Sequence, residues 1–141
     1  MEKKISEQIK SFLDFIDECR ELNSMAYSGV GEEDKRHQDL THAIEFEHDP
    51  EKIDRIGRRI HQNRIERRVY KDIYEITSPV VEFARDPQNK KTLDSARQLL
   101  GKVRKVESRQ ENRFYVPRIK ENQVYFQEVR EDKSHGQKDS E

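Results

Sequence analysis

Four cations, Arg64, Arg67, Arg68 and Lys71, follow one another at three- and four-residue steps, the spacing that gathers side chains on one helix face. Guanidinium groups in such a row can grip phosphate or carboxylate bidentately, and the lysine adds a point charge. Further along, Arg104, Lys105, Arg109, Arg113 and Arg118 continue the positive charge, with Tyr115 and Tyr125 beside them as flat surfaces. The set singled out for binding is Arg64, Arg67, Arg68, Lys71, Arg113, Tyr115 and Arg118. Its expected ligands are an acidic protein surface or a small nucleotide-like anion. Nucleic acid is not favoured, because sequence-reading domains carry net positive charge and a recognisable motif, whereas this chain has a net charge of -1.

Carboxylates offer a competing chemistry. Glu18-x-x-Glu21 and Glu51-x-x-Asp54 imitate the paired helical carboxylates with which all-α nucleotide pyrophosphohydrolases hold Mg²⁺, and an enzyme of that kind is the alternative reading. The Glu51 pair also opens a helix beside a proline, where acids have a capping reason to be. Glu45-Phe46-Glu47-His48, preceded by His42, matches the Glu-x-x-His element of di-iron bundles, but those sites need that element twice, and here it occurs once. Neither a metal nor any other cofactor is expected. Cys19 falls on an apolar helix face, as a buried thiol does, and the five glycines are too scattered to form a phosphate loop. No residue is assigned a catalytic role.

These side chains need helices to position them. Ile5, Ile9, Phe12, Leu13, Ile16, Cys19, Leu22 and Ala26 predict a helix over residues 6–27, which Ser28-Gly29-Val30-Gly31 should end. A shorter helix is expected over 32–47. Asp49-Pro50-Glu51 then combines a cap, a first-turn proline and a dipole-favoured acid, so a long helix should run from Pro50 towards Arg85. Pro79 must kink or restart it. Asp86-Pro87 repeats the start signal for a helix reaching about Gln110. After Asn112, residues 114–119 and 124–129 are rich in β-formers around a polar turn and predict a small hairpin, followed by a disordered tail over 131–141.

The long helix changes its apolar face. Ile53, Ile56 and Ile60 share one side, while Ile65, Val69, Ile73, Ile76 and Val80 share another, with the changeover at His61-Gln62-Asn63-Arg64. With no proline or glycine between Arg58 and Ser78, a continuous helix serving two packing partners is favoured over a broken one. A single copy has little with which to cover both faces, because Ile, Leu, Val and Phe make up only about 23% of the chain. A homo-oligomer is therefore expected.

Composition sets the outer limits. Hydrophobic residues are 31% of the 141 and charged residues 40%, which suits all-α architecture with an elongated helical hairpin or bundle packed along narrow stripes, as one domain over residues 1–130. Residues 1–50 hold six basic and thirteen acidic side chains, and residues 51–120 hold nineteen basic and ten acidic, so the two regions complement each other. No apolar run exceeds three residues, which leaves no membrane span, and a single cysteine with no leader-like segment points to the cytoplasm.

Four stretches carry a family resemblance: Asp39-Leu40-Thr41-His42-Ala43-Ile44-Glu45, Arg67-Arg68-Val69-Tyr70-Lys71-Asp72, Leu99-Leu100-Gly101-Lys102-Val103-Arg104-Lys105-Val106, and Asn112-Arg113-Phe114-Tyr115-Val116-Pro117-Arg118. In this order they resemble a group of small helical proteins encoded by phages and prophages of Gram-positive bacteria, over roughly residues 39–118. That group has no assigned activity, so no functional residue comes with it. The resemblance implies expression in a host cytoplasm and a role in regulating host or phage processes or in countering host defence. The functional expectation is a non-enzymatic oligomer that binds a host or phage protein or a nucleotide-like anion.

Overall fold

The computed structural model describes residues 3–126. Three α-helices follow in order, α1 (Ile5–Phe46), α2 (Pro50–Arg85) and α3 (Pro87–Glu111), and then a 3-10 helix (Lys120–Phe126). The described residues divide into two compact units, one ending at Gly101 and the other beginning at Lys102.

The start signals act as their chemistry dictates. Asp49 accepts the Glu51 amide at 3.2 Å with Pro50 opening α2, and Asp86 accepts the amides of Gln88 at 2.9 Å and Asn89 at 3.4 Å at the head of α3. Between α1 and α2 the turn is only three residues long, and Glu47 closes it: its carboxylate accepts the amides of His48 and Asp49, both at 3.2 Å. The Asp49 amide, followed by that of His48 and the charge of Lys52, holds the Glu47 carboxyl below the ordinary glutamate range.

The glycine-rich stretch over 28–31 does not end the first helix. α1 runs through it as one helix of 42 residues, so the two helices expected before residue 48 are one. Gly29 is there for close approach: a Cβ at this position would lie 2.6 Å from the Tyr70 ring of α2. Pro79 does not restart α2 either. Thr77 Oγ1 donates to the Ile73 carbonyl at 2.7 Å and Ser78 Oγ to the Tyr74 carbonyl at 2.6 Å, while Asn23 of α1 donates to both hydroxyls at 3.0 and 3.1 Å. These bonds fix the turn just before Pro79, whose missing N–H leaves the Glu75 carbonyl without its usual helical donor.

α1 and α2 pack as an antiparallel pair. Asn23 faces Tyr74 and Glu33 faces Asn63, which fixes the register. On α2 the side towards α1 is a run of unbroken three- and four-residue steps, Ile53, Ile56, Ile60, Asn63, Arg67, Tyr70, Tyr74, Thr77, Val81 and Ala84. The packing face therefore does not switch at Asn63. It continues straight through, with polar residues taking over where isoleucines stop. Of the second apolar stripe, only Ile73 and Val80 are partly buried, whereas Ile65 is 45% exposed, Val69 53% and Ile76 76%. At the far end of the pair, Leu13, Ile16, Ala84 and Leu93 form the buried core, flanked by Ile9, Val80, Ala96 and Leu100.

In the second unit, residues 113–119 form neither helix nor strand, and the segment expected to begin the second strand winds into the 3-10 helix instead. The hairpin is thus not formed among the described residues; 127–129 and the tail at 131–141 lie outside them. Tyr115 packs its ring against Phe126 at 5.4 Å, a local contact of aromatic surface that takes the place of cross-strand pairing.

Candidate functional site

The α2 cations share one flank, but they do not share one role. Arg67 lies in the helix interface, where its Nε donates to Asp34 Oδ1 at 2.6 Å. It is therefore a strut between the acidic first helix and the basic second one. Arg64 and Arg68 are exposed, Lys71 is half-buried, and none of the three forms an ion pair with a described residue. Arg113, Tyr115 and Arg118 are exposed and belong to the second unit.

The helix interface contains a polar layer that the sequence pattern did not single out. Glu33 is 2% exposed, and its carboxylate receives Arg36 Nη1 at 2.6 Å and Asn63 Nδ2 at 2.8 Å. Asn63 Nδ2 also donates to the Glu33 main-chain carbonyl at 2.8 Å. A buried carboxylate requires such partners. Two further polar atoms, Asn63 Oδ1 and His37 Nδ1, are buried without a hydrogen-bond partner. A cleft of about 480 Å³ opens beside the layer, lined among others by Arg36, Leu40, Arg59 and Gln62. The signal available in sequence was negative: Asn63 stands where the isoleucine stripe is interrupted, and an interrupted stripe reads as a change of face.

The alternative chemistries are not assembled. His42 Nδ1 and Glu45 Oε2 are 3.8 Å apart on the surface of α1, while His48 lies past the helix end, in the turn. Among the described residues no group of three or more His, Cys, Asp or Glu could hold a metal ion. The antiparallel register sets Glu51 and Asp54 near the turn and Glu18 and Glu21 about 40 Å away along α1, at 1.5 Å per residue. The two pairs share no cation position. Cys19 is buried, as its apolar surroundings require.

A second basic locus lies between α1 and α2 near the core end. Arg20, Asn23, Tyr27, Tyr74, Arg85 and Lys90 are among the residues lining an open groove of about 640 Å³. The rings of Tyr27 and Tyr74 are 5.9 Å apart and tilted by 42°. Sequence reasoning missed this site because its cations come from three helices and form no run; only the juxtaposition of α1 with α2 unites them. Comparison of the chain with protein-family models, curated proteins and solved structures gives no match.

Proposed function

We propose that this chain is a non-enzymatic helical binding protein that self-associates and presents the free α2 cations to an acidic protein partner. The observation that carries the reading is the apolar flank left uncovered by the helix pair. Ser24 and Arg85, on one flank of their helices, both line the basic groove. At roughly 100° per residue, Phe12, Phe15 and Leu22 of α1 and Val69, Ile76 and Phe83 of α2 fall on the opposite flank, facing the same side of the pair. All six are exposed. An apolar face of this extent is what association surfaces look like, and the occupant we assign is a second copy. Charge supports that choice, since an acidic first helix and a basic second one can pair between copies as Asp34 and Arg67 do within one.

Arg64, Arg68 and Lys71 then remain for a partner. Packing does not require three unpaired cations on one flank, and arginine is enriched where proteins meet. A nucleotide-like anion is the small-molecule counterpart for the same row. The resemblance of residues 39–118 to phage and prophage proteins supports a cytoplasmic role in regulation or counter-defence. No described helix is long and apolar enough to cross a membrane, which agrees with a partner met in solution.

Poly-L-glutamate serves as a defined acidic probe. The full chain should bind it in a salt-sensitive manner, and the Arg64→Glu, Arg68→Glu double variant should lose binding while keeping its helicity and mass. If the variant instead falls apart into single copies, the arginines hold the assembly together and are not the partner site.

A further inference from the structure

We infer that the groove between α1 and α2 is a binding site for a small phosphorylated aromatic ligand of the nucleoside monophosphate class. Three cations line it, Arg20, Arg85 and Lys90, and no carboxylate does. In a chain whose 29 acids and 28 bases nearly cancel, an enclave of one sign is a departure from the average surface. Helix electrostatics explain part of it: Arg85 sits in the last turn of α2, where the dipole favours a cation, and Arg20 Nη2 reaches the Ala84 carbonyl at 3.5 Å. Lys90 has the opposite placement. It stands in the first turn of α3, which contains no acid, so the dipole disfavours its charge there. Asp86 is engaged in capping the amides of Gln88 and Asn89, and Asp17 is 3.7 Å from the Arg20 guanidinium, a long and exposed contact. Neither carboxylate lines the groove. A phosphate dianion supplies the missing counter-charge, with the guanidiniums as forks and the lysine as a point charge.

The other end of the groove has the complementary character. Tyr27 is 70% exposed although it belongs to the helix face that packs elsewhere along its length, and its ring tilts against Tyr74. Tilted rings leave faces open, and a flat heterocycle can stack on them. Asn23 spends its amide N–H groups on Thr77 and Ser78, which fixes the side chain and leaves its carbonyl to accept from an exocyclic amine. About 640 Å³ is within the range of small-molecule sites. This groove is separate from the α2 row of Arg64, Arg68 and Lys71, so failure of either site leaves the other standing.

Isothermal titration of the full chain with adenosine 5′-monophosphate, inorganic phosphate and adenosine, each taken to millimolar concentration, tests the assignment. The monophosphate should bind at least about tenfold more tightly than either fragment, since charge pairing and stacking act together. Lys90→Gln should abolish that advantage, and Tyr27→Leu should reduce the monophosphate to the affinity of inorganic phosphate. Arg58→Gln, on the surface near the α1–α2 turn, should bind as the parent does. Circular dichroism of each variant should match the parent. No binding of the monophosphate, affinity equal to that of its fragments, or undiminished binding by a folded Lys90→Gln chain would each overturn the proposal.

Discussion

The ring of Tyr70 occupies the space that a side chain at Gly29 would need: three of its carbons lie 2.6–2.8 Å from where a Cβ would be built. A glycine in mid-helix usually weakens the helix by about 0.5–1 kcal/mol relative to alanine, and here that loss accompanies close contact between α1 and α2. Gly29→Ala should therefore destabilise the protein by about 1–3 kcal/mol through overpacking, despite the better helix former. Gly31, two residues on, has open space at its Cβ position, and Gly31→Ala should stabilise by about 0.4–1 kcal/mol. Urea midpoints of the two variants should move in opposite directions.

Asn63→Ala should be costly for a surface-poor reason. It removes the amide that donates to Glu33 Oε2 and leaves a carboxylate that is 2% exposed with Arg36 as its remaining partner among the described residues. Unsatisfied burial of this kind costs about 1–3 kcal/mol, and more for a charged group. Asn63→Ala, Glu33→Ala double substitution should recover part of the loss, because both halves of the polar layer go together. A double-mutant cycle by chemical denaturation measures the coupling.

Glu47 gives the α1–α2 turn a pH dependence. Its carboxyl titrates lower in the folded chain than in an unfolded one, so the stabilisation it confers on the turn is present above the unfolded value and is lost as pH falls through the folded value. The amide resonances of His48 and Asp49 should shift together in an acid titration, with a midpoint below the roughly 4.3 of an unperturbed glutamate. Glu47→Gln should remove that transition.

Helix starts were legible because they depend on neighbours in sequence. Asp49-Pro50-Glu51 and Asp86-Pro87 needed nothing beyond their own caps. The run at 28–31 was misleading for the opposite reason: the role of Gly29 is defined by Tyr70, forty-one residues away, and no local rule contains that contact. The interface of α2 was hidden in the same way. Asn63, Arg67 and Thr77 hold packing positions with polar side chains, which pair respectively with Glu33, Asp34 and Asn23. A hydrophobic pattern registers such positions as gaps, so the more conspicuous stripe through Ile65, Val69 and Ile76 was the exposed one. Arg67 was grouped with Arg64 and Arg68 by spacing, although its partner on α1 gives it a different role. The basic groove was beyond reach, as its six principal residues are spread over Arg20 to Lys90.

Ile16 and Ile76 separate folding from association. Ile16 is 4% exposed within the core, so Ile16→Asp should unfold the chain, whereas Ile76 is 76% exposed and Ile76→Asp should leave the helicity of a single copy unchanged. Equal losses of helicity in the two variants would mean that the outer stripe is needed for folding itself.

Static light scattering of the parent chain and of Ile76→Asp, side by side across a dilution series, measures self-association through the exposed apolar flank. The parent mass should lie above the 17.0 kDa of one copy and fall on dilution, while the variant stays helical at 17.0 kDa throughout. A parent chain that remains at 17.0 kDa up to high micromolar concentration would contradict self-association.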